Sequence, residues 1–165
     1  MANENMTNIA LVEGTPPQSA NTYAGGTDTV VAIDTKLLTT TPATGGTVTL
    51  TRVPVDAIIT SIQLAFDDLG TSAPADLGFY EGGSAGATAV DSDAIATAIA
   101  MGTAQTTLAE YRFEAADHST ATQRAWELAG LSARPSYGNF DLVLTFGTVS
   151  GGAVGDVTFK LEYVI

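Results

Sequence analysis

Along the final stretch of the chain, apolar and polar side chains trade places at every step. Val157, Phe159, Leu161, Tyr163 and Ile165 alternate with Asp156, Thr158, Lys160, Glu162 and Val164. Successive side chains of a strand point to opposite faces, so this pattern commits the segment to a β-strand with one buried and one largely solvated face, as in antiparallel sheets. The same period of two recurs upstream. Phe140, Leu142, Leu144 and Phe146 alternate with Asp141, Val143 and Thr145. Ile58, Thr60, Ile62, Leu64 and Phe66 alternate with Ile59, Ser61, Gln63, Ala65 and Asp67. Val31, Ile33, Thr35 and Leu37 alternate with Val30, Ala32, Asp34 and Lys36.

Shorter strands fill the gaps. One carries Val48 and Leu50 and ends at Arg52-Val53-Pro54, because proline cannot donate to a central ladder. Another runs from Asp76 to Tyr80 and breaks at Gly82-Gly83, and a third covers Glu110 to Phe113. Turn signals separate them: the Thr/Pro/Gly run from Thr39 to Gly46, and Asp67-Asp68-Leu69-Gly70. The glycines at 151, 152 and 155 predict a hairpin connection between the last two strands. Residues 84–109 read either as a short helix over Ala94–Met101, with Asp91 or Ser92 as N-cap and Gly102 as its stop, or as an alanine-rich loop. Thr122–Ala129 has helical propensity and ends at Gly130, which predicts one or two helical turns. Seven or eight short antiparallel strands joined by such turns predict an all-β protein, a β-sandwich of jelly-roll or Ig-like type. No repeat of 20–50 residues is present, which excludes a propeller or solenoid.

Residues 1–28 follow neither period and contain Pro16-Pro17 and Gly25-Gly26. They read as an extended N-terminal arm ahead of a sandwich domain at 29–165. Ile9, Leu11, Val12 and Tyr23 make this arm more apolar than a purely solvated tail requires, so it is either a frayed terminus or an arm that orders against a neighbouring subunit.

Charge then removes whole classes of function. Eighteen acidic residues against six basic ones give a net charge of −12. The cations, Lys36, Arg52, Arg112, Arg124, Arg134 and Lys160, are scattered, with no basic stripe to release counterions from nucleic acid and no polybasic patch for anionic lipid. There is no cysteine for a disulfide or a thiolate zinc site, no stretch approaching about 18 apolar residues for a membrane span, and no signal-peptide pattern at the start. The expectation is a soluble protein made in a cytoplasm, without nucleic-acid or membrane partners. Charged residues are only 15% of the chain, which suits a surface that packs against other protein.

No residue pattern supplies a catalytic, cofactor or metal site. His118, the single histidine, lies between Asp117 and Ser119, but sequence neighbours cannot take triad geometry with one another. Asp67-Asp68 and Asp91-Ser92-Asp93 lack the EF-hand spacing and read as turn aspartates and a cap; an inter-subunit calcium site is the alternative. Gly82-Gly83-Ser84-Ala85-Gly86 has no following Lys-Ser/Thr and is not a phosphate loop. Trp126 closes one end of the core or anchors a protein interface. Trp126 with Tyr137 and Asn139 is the one cluster a carbohydrate-binding module could use.

Ala75-Asp76-Leu77-Gly78-Phe79-Tyr80-Glu81, preceded by a strand such as 58–68, resembles a strand motif of small tailed-bacteriophage virion proteins. The blocks 124–131 and 137–142 and the closing strand 157–165 are similar to their later part, so the resemblance spans roughly residues 56–165. It implies a virion structural protein, most like a capsid decoration (cement) protein: a small homo-oligomer, a trimer by preference, clamping the major capsid protein. The acidic charge then favours the outer capsid surface over contact with the genome. A tail, neck or head-fibre component is the alternative within the same class.

Overall fold

The computed structural model describes residues 29–83, 88–112 and 120–165. The strands are β1 (Thr29–Leu38), β2 (Thr47–Pro54), β3 (Ile58–Phe66), β4 (Gly70–Ser72), β5 (Pro74–Glu81), β6 (Ala89–Ala100), β7 (Gln105–Glu110), β8 (Asn139–Phe146), β9 (Ser150–Gly152) and β10 (Gly155–Val164), with one short helix, α1 (Ala125–Leu128), between β7 and β8. Among the described residues no helix is long and apolar enough to cross a membrane. The predicted arm, residues 1–28, lies outside the described residues.

Two four-stranded sheets form, ordered β1-β10-β3-β7 and β2-β8-β5-β6, with β4 and β9 paired in a small third sheet. Counting the eight long strands in chain order, the first pairs with the last, the second with the seventh, the third with the sixth and the fourth with the fifth, all antiparallel. This is a long hairpin ribbon folded over and rolled into two layers. The sandwich is a jelly roll, not an Ig-like fold.

Between the layers lies one core. The first sheet contributes Ile62, Leu64, Phe66, Val157, Phe159 and Leu161; the second contributes Leu77, Phe79, Phe140, Leu142, Leu144 and Phe146, all buried. The alternation read in β8 and β10 therefore points its apolar rows inward. β3 departs from it. A register shift against β10 opposite Glu162 and Tyr163 turns Ile59 to the core, while Ile58 stays partly exposed. A bulge inserts one unpaired residue and flips the parity of everything beyond it.

Neither reading of residues 84–109 holds. The segment forms β6 and β7, and Asp91 and Ser92 lie within β6 rather than capping a helix. β6 satisfies its backbone against β5, but the pairing slips three times, and Ala98 adopts φ +53°. Asp76 Oδ1 holds that kink by accepting from Ala98 N at 2.8 Å and Thr97 Oγ1 at 3.2 Å. With the period broken, Ile95, Ala96 and Ile99 are all buried, a helix-like spacing on a bulged strand. Gly102 ends no helix; a Cβ there would meet Gly70 O at 2.5 Å. The expected strand from Glu110 instead ends at Glu110, and Phe113 lies outside the described residues. The glycine-rich connection before β10 is not a hairpin either. It crosses from one sheet to the other and carries β9, which pairs with β4.

α1 falls inside the segment predicted to be helical. Glu127 accepts from the N-cap amide Arg124 N at 2.9 Å, and Gly130 (φ +70°) follows the helix end. Two helix N–H groups donate to the β2–β3 turn, Ala125 N to Ala57 O and Trp126 N to Val55 O. Ala125 and Ala129 are buried and Trp126 packs on the core, so the helix closes this end of the sandwich.

The same end holds a buried cation. Arg112 is 1% exposed; its Nε donates to Ile59 O at 3.0 Å and its Nη2 to Thr120 O at 3.0 Å. Ile59, opposite Tyr163, flanks the β3 bulge, and the guanidinium donates to its carbonyl there. Glu110 Oε1 accepts from Arg112 N and Ile62 N at 2.8 and 2.9 Å, fastening the end of β7 to β3. Arg112→Met fills similar volume but leaves one buried and one partly buried carbonyl without these donors. A loss of about 2–3 kcal/mol is expected in urea denaturation, and a loss under about 0.5 kcal/mol contradicts this role.

Candidate assembly surface

β1 is the end strand of its sheet, paired with β10 in unbroken register from Thr29↔Val164 to Leu38↔Gly155. Directly opposed residues share a face. Val31, Ile33, Thr35 and Leu37 therefore stand beside Glu162, Lys160, Thr158 and Asp156 on the outside of the sandwich. Val31, Ile33 and Leu37 are 41%, 56% and 66% exposed, the last two among the most exposed large apolar side chains described. The opposite row, Val30, Ala32 and Leu38, packs on the core but is interrupted by Asp34 and Lys36, paired to each other at 3.2 Å and half-exposed. The second half of β1 is thus inverted, apolar outward and charged inward. At its far end Leu37 joins a groove of about 380 Å³ lined also by Leu38, Pro42, Val48 and Phe146, where β1 gives way to β2. An uncovered row of this kind is a candidate surface for contact with other protein.

Elsewhere among the described residues the exposed large apolar side chains are Leu108, Val154 and Ile165, and ion pairs also lie on the surface. On the other sheet Arg52 Nε donates to Asp141 Oδ1 at 2.7 Å, and Asp141 Oδ2 accepts from Gly83 N at 3.2 Å. Asp56 accepts from Arg134 and Arg124 in an exposed cluster, and Arg134 above all lowers its pKa. Exposed pairs of this kind contribute little to stability.

The sequence candidates do not converge. His118 with Asp117 and Ser119, and Ser84 to Gly86 of the glycine run, lie outside the described residues. Asp68 Oδ1 accepts from Gly70 N within its own turn, while Asp67 Oδ2 accepts from Asp156 N at the distant start of β10, both at 2.9 Å. Asp91 and Asp93 adjoin one another, and among the described residues no group of three His, Cys, Asp or Glu side chains could hold a metal. Trp126 and Tyr137 are packed against the core and only partly exposed, and Tyr137 sits edge-on to Phe140 at 5.6 Å. The sugar platform envisaged for them is largely taken up by packing.

Burial, and then Asp93, raise the Asp91 carboxyl above its ordinary pKa of 3.8. Raising an acid's folded pKa means its contribution to stability is full below the unfolded value and falls away as pH rises through the folded value. Asp91→Asn should therefore be more stable than the parent at pH 7 and lose that advantage below about pH 4. Denaturation curves at the two pH values check it; a variant weaker at pH 7 would contradict it.

No protein-family model matches the chain, and no curated protein matches it. Solved structures do. A chain in the capsid of Ralstonia phage GP4 superposes with a TM-score of 0.59 at 19% identity, covering 83% of this chain and 84% of that one. A chain in the capsid asymmetric unit of cyanophage Pam1 gives 0.53, also at 19% identity, with 85% and 86% covered. This jelly roll is a fold found in phage capsids. The agreement covers more than four-fifths of both partners in each case, so the likeness extends beyond one sheet.

Proposed function

We propose that the protein is a non-enzymatic virion structural protein, a capsid cement or decoration protein made in the host cytoplasm and bound to the outer surface of the major capsid protein lattice. The observation that carries this reading is the match of fold over more than four-fifths of the chain to chains of two phage capsids. The exposed apolar row of β1 supports it, since a protein built for a lattice needs a surface that is finished only by contact. The net charge of −12 supports the outer position, because the packaged genome repels an acidic protein. A homotrimer is the favoured assembly, with the major capsid protein as its partner and no nucleic acid or membrane.

Copy number in purified particles tests the reading. Several hundred copies per particle, comparable with the major capsid protein, are expected of a cement protein. A few to a few tens would move the protein to the neck, tail or a head fibre. Absence from the particle would remove the virion reading altogether.

A further inference from the structure

Most edge strands are blunted by proline, a bulge, outward lysine or short length. β1 has ten residues, no proline and an unbroken register, and its outward row is Val31, Ile33, Thr35 and Leu37. Its single lysine, Lys36, lies on the inward row and is tied to Asp34. We propose that this edge is completed by residues 6–13 of a second copy of the same chain, added to β1 as an extra strand.

The occupant is argued from the chain that runs into β1. Residues 1–28 precede Thr29, and their densest apolar run is Ile9-Ala10-Leu11-Val12, bounded by Asn8 and Glu13-Gly14. An added strand contributes main-chain hydrogen bonds and sets alternate side chains on one face, so Ile9 and Leu11 can lie against the Val31–Ile33–Leu37 row. Reach and stiffness decide between the chain's own β1 and a neighbour's. Residues 14–28 span up to about 50 Å when extended, more than the roughly 33 Å length of β1. Folding back would make these fifteen residues a hairpin loop, where two to five are usual, and Pro16-Pro17 favours an extended path over a reversal. Each copy then offers one strand and one edge, so a closed ring leaves neither exposed.

The inference does not depend on the capsid reading and is tested in solution with the full chain alone. The absence of cysteine allows single thiols to be introduced cleanly. Ile33→Cys and Leu11→Cys are prepared separately, mixed and oxidised. A disulfide-linked pair containing one chain of each kind is expected, well above the linkage within either variant alone. Linkage mainly between two Ile33→Cys chains, or no linkage between the two kinds of chain, would each overturn the proposal. Ile33→Lys supplies a second readout that does not require the disulfide. Ile33 is exposed, so the circular dichroism should be unchanged while the solution mass falls to that of one 16.8 kDa chain. An oligomer unaffected by the lysine, or a parent that is already monomeric, would sink it. Failure here leaves the copy-number test standing, and the reverse also holds.

Discussion

Gly78→Ala should cost about 3–4 kcal/mol, the largest loss from adding a single methyl group in this fold. A Cβ on Gly78 would stand 2.2 Å from Asp91 O and 2.6 Å from Ser92 O, both backbone atoms. Gly78 faces outward from β5, so β6 must lie across the outside of the sheet at this point. The pairing says why: between Leu77↔Ala96 and Phe79↔Asp91, two steps along β5 correspond to five along β6. The surplus residues fold over the sheet, and Val143, directly opposite Gly78, is 3% exposed although it points away from the inter-sheet core. Alanine would lift this covering and expose Val143. The midpoint of thermal unfolding should fall by roughly 10 °C. Gly138, with open space around its would-be Cβ and no positive φ, is the control, and its alanine variant should stay within about 0.5 kcal/mol of the parent. Equal stability for the two variants would show that the β6 covering yields freely.

Phe140→Ala is expected to lose about 3–5 kcal/mol. The ring is fully buried on β8, an interior strand paired on both sides, 5.1 Å from Phe79 in a tilted arrangement and 5.6 Å from Tyr137 edge-on. Truncation removes the transfer free energy of the ring and opens a cavity that two hydrogen-bonded neighbours, β2 and β5, hold in place. Phe140→Leu should lose much less, about 1–1.5 kcal/mol, because most of the volume remains. Urea denaturation of both variants checks the ordering. If the alanine variant lost no more than the leucine one, collapse around the site would have to be near complete, against the rigidity expected of an interior strand.

The alternation in β10 was readable because one of its faces lies in the core, so burial and the period of two coincide; in β8 the apolar row also faces the core, although Asp141 and Val143 on the other face are covered too. All-β class, antiparallel pairing and the helical turn before Gly130 all followed from residue types and spacing. The strand at 89–100 was not readable. Its burial pattern is set by slipped pairing with β5 and by the Asp76 carboxylate holding Ala98 in a left-handed conformation, contacts made across the sheet. The glycine connection before β10 looked like a hairpin because local signals mark where a chain turns, not which sheet it turns into.

The candidate surface divides the same way. Apolar Val31, Ile33 and Leu37 are plain in the sequence, yet a β-strand with two partly apolar rows does not declare which row is buried. Pairing with β10 decides it: Val30 and Ala32 stand opposite Tyr163 and Leu161 on the core side, leaving the more apolar row outside. By itself, then, the sequence determined where the strictly alternating strands lie, that they pair antiparallel and that the chain is strongly acidic, because these depend on local side-chain periodicity and on counted charges. Only the tertiary structure decided the jelly-roll order, the bulged strand over Gly78 and the exposed edge of β1. Each depends on which distant strands become neighbours, and that is chosen by the packing of the whole core.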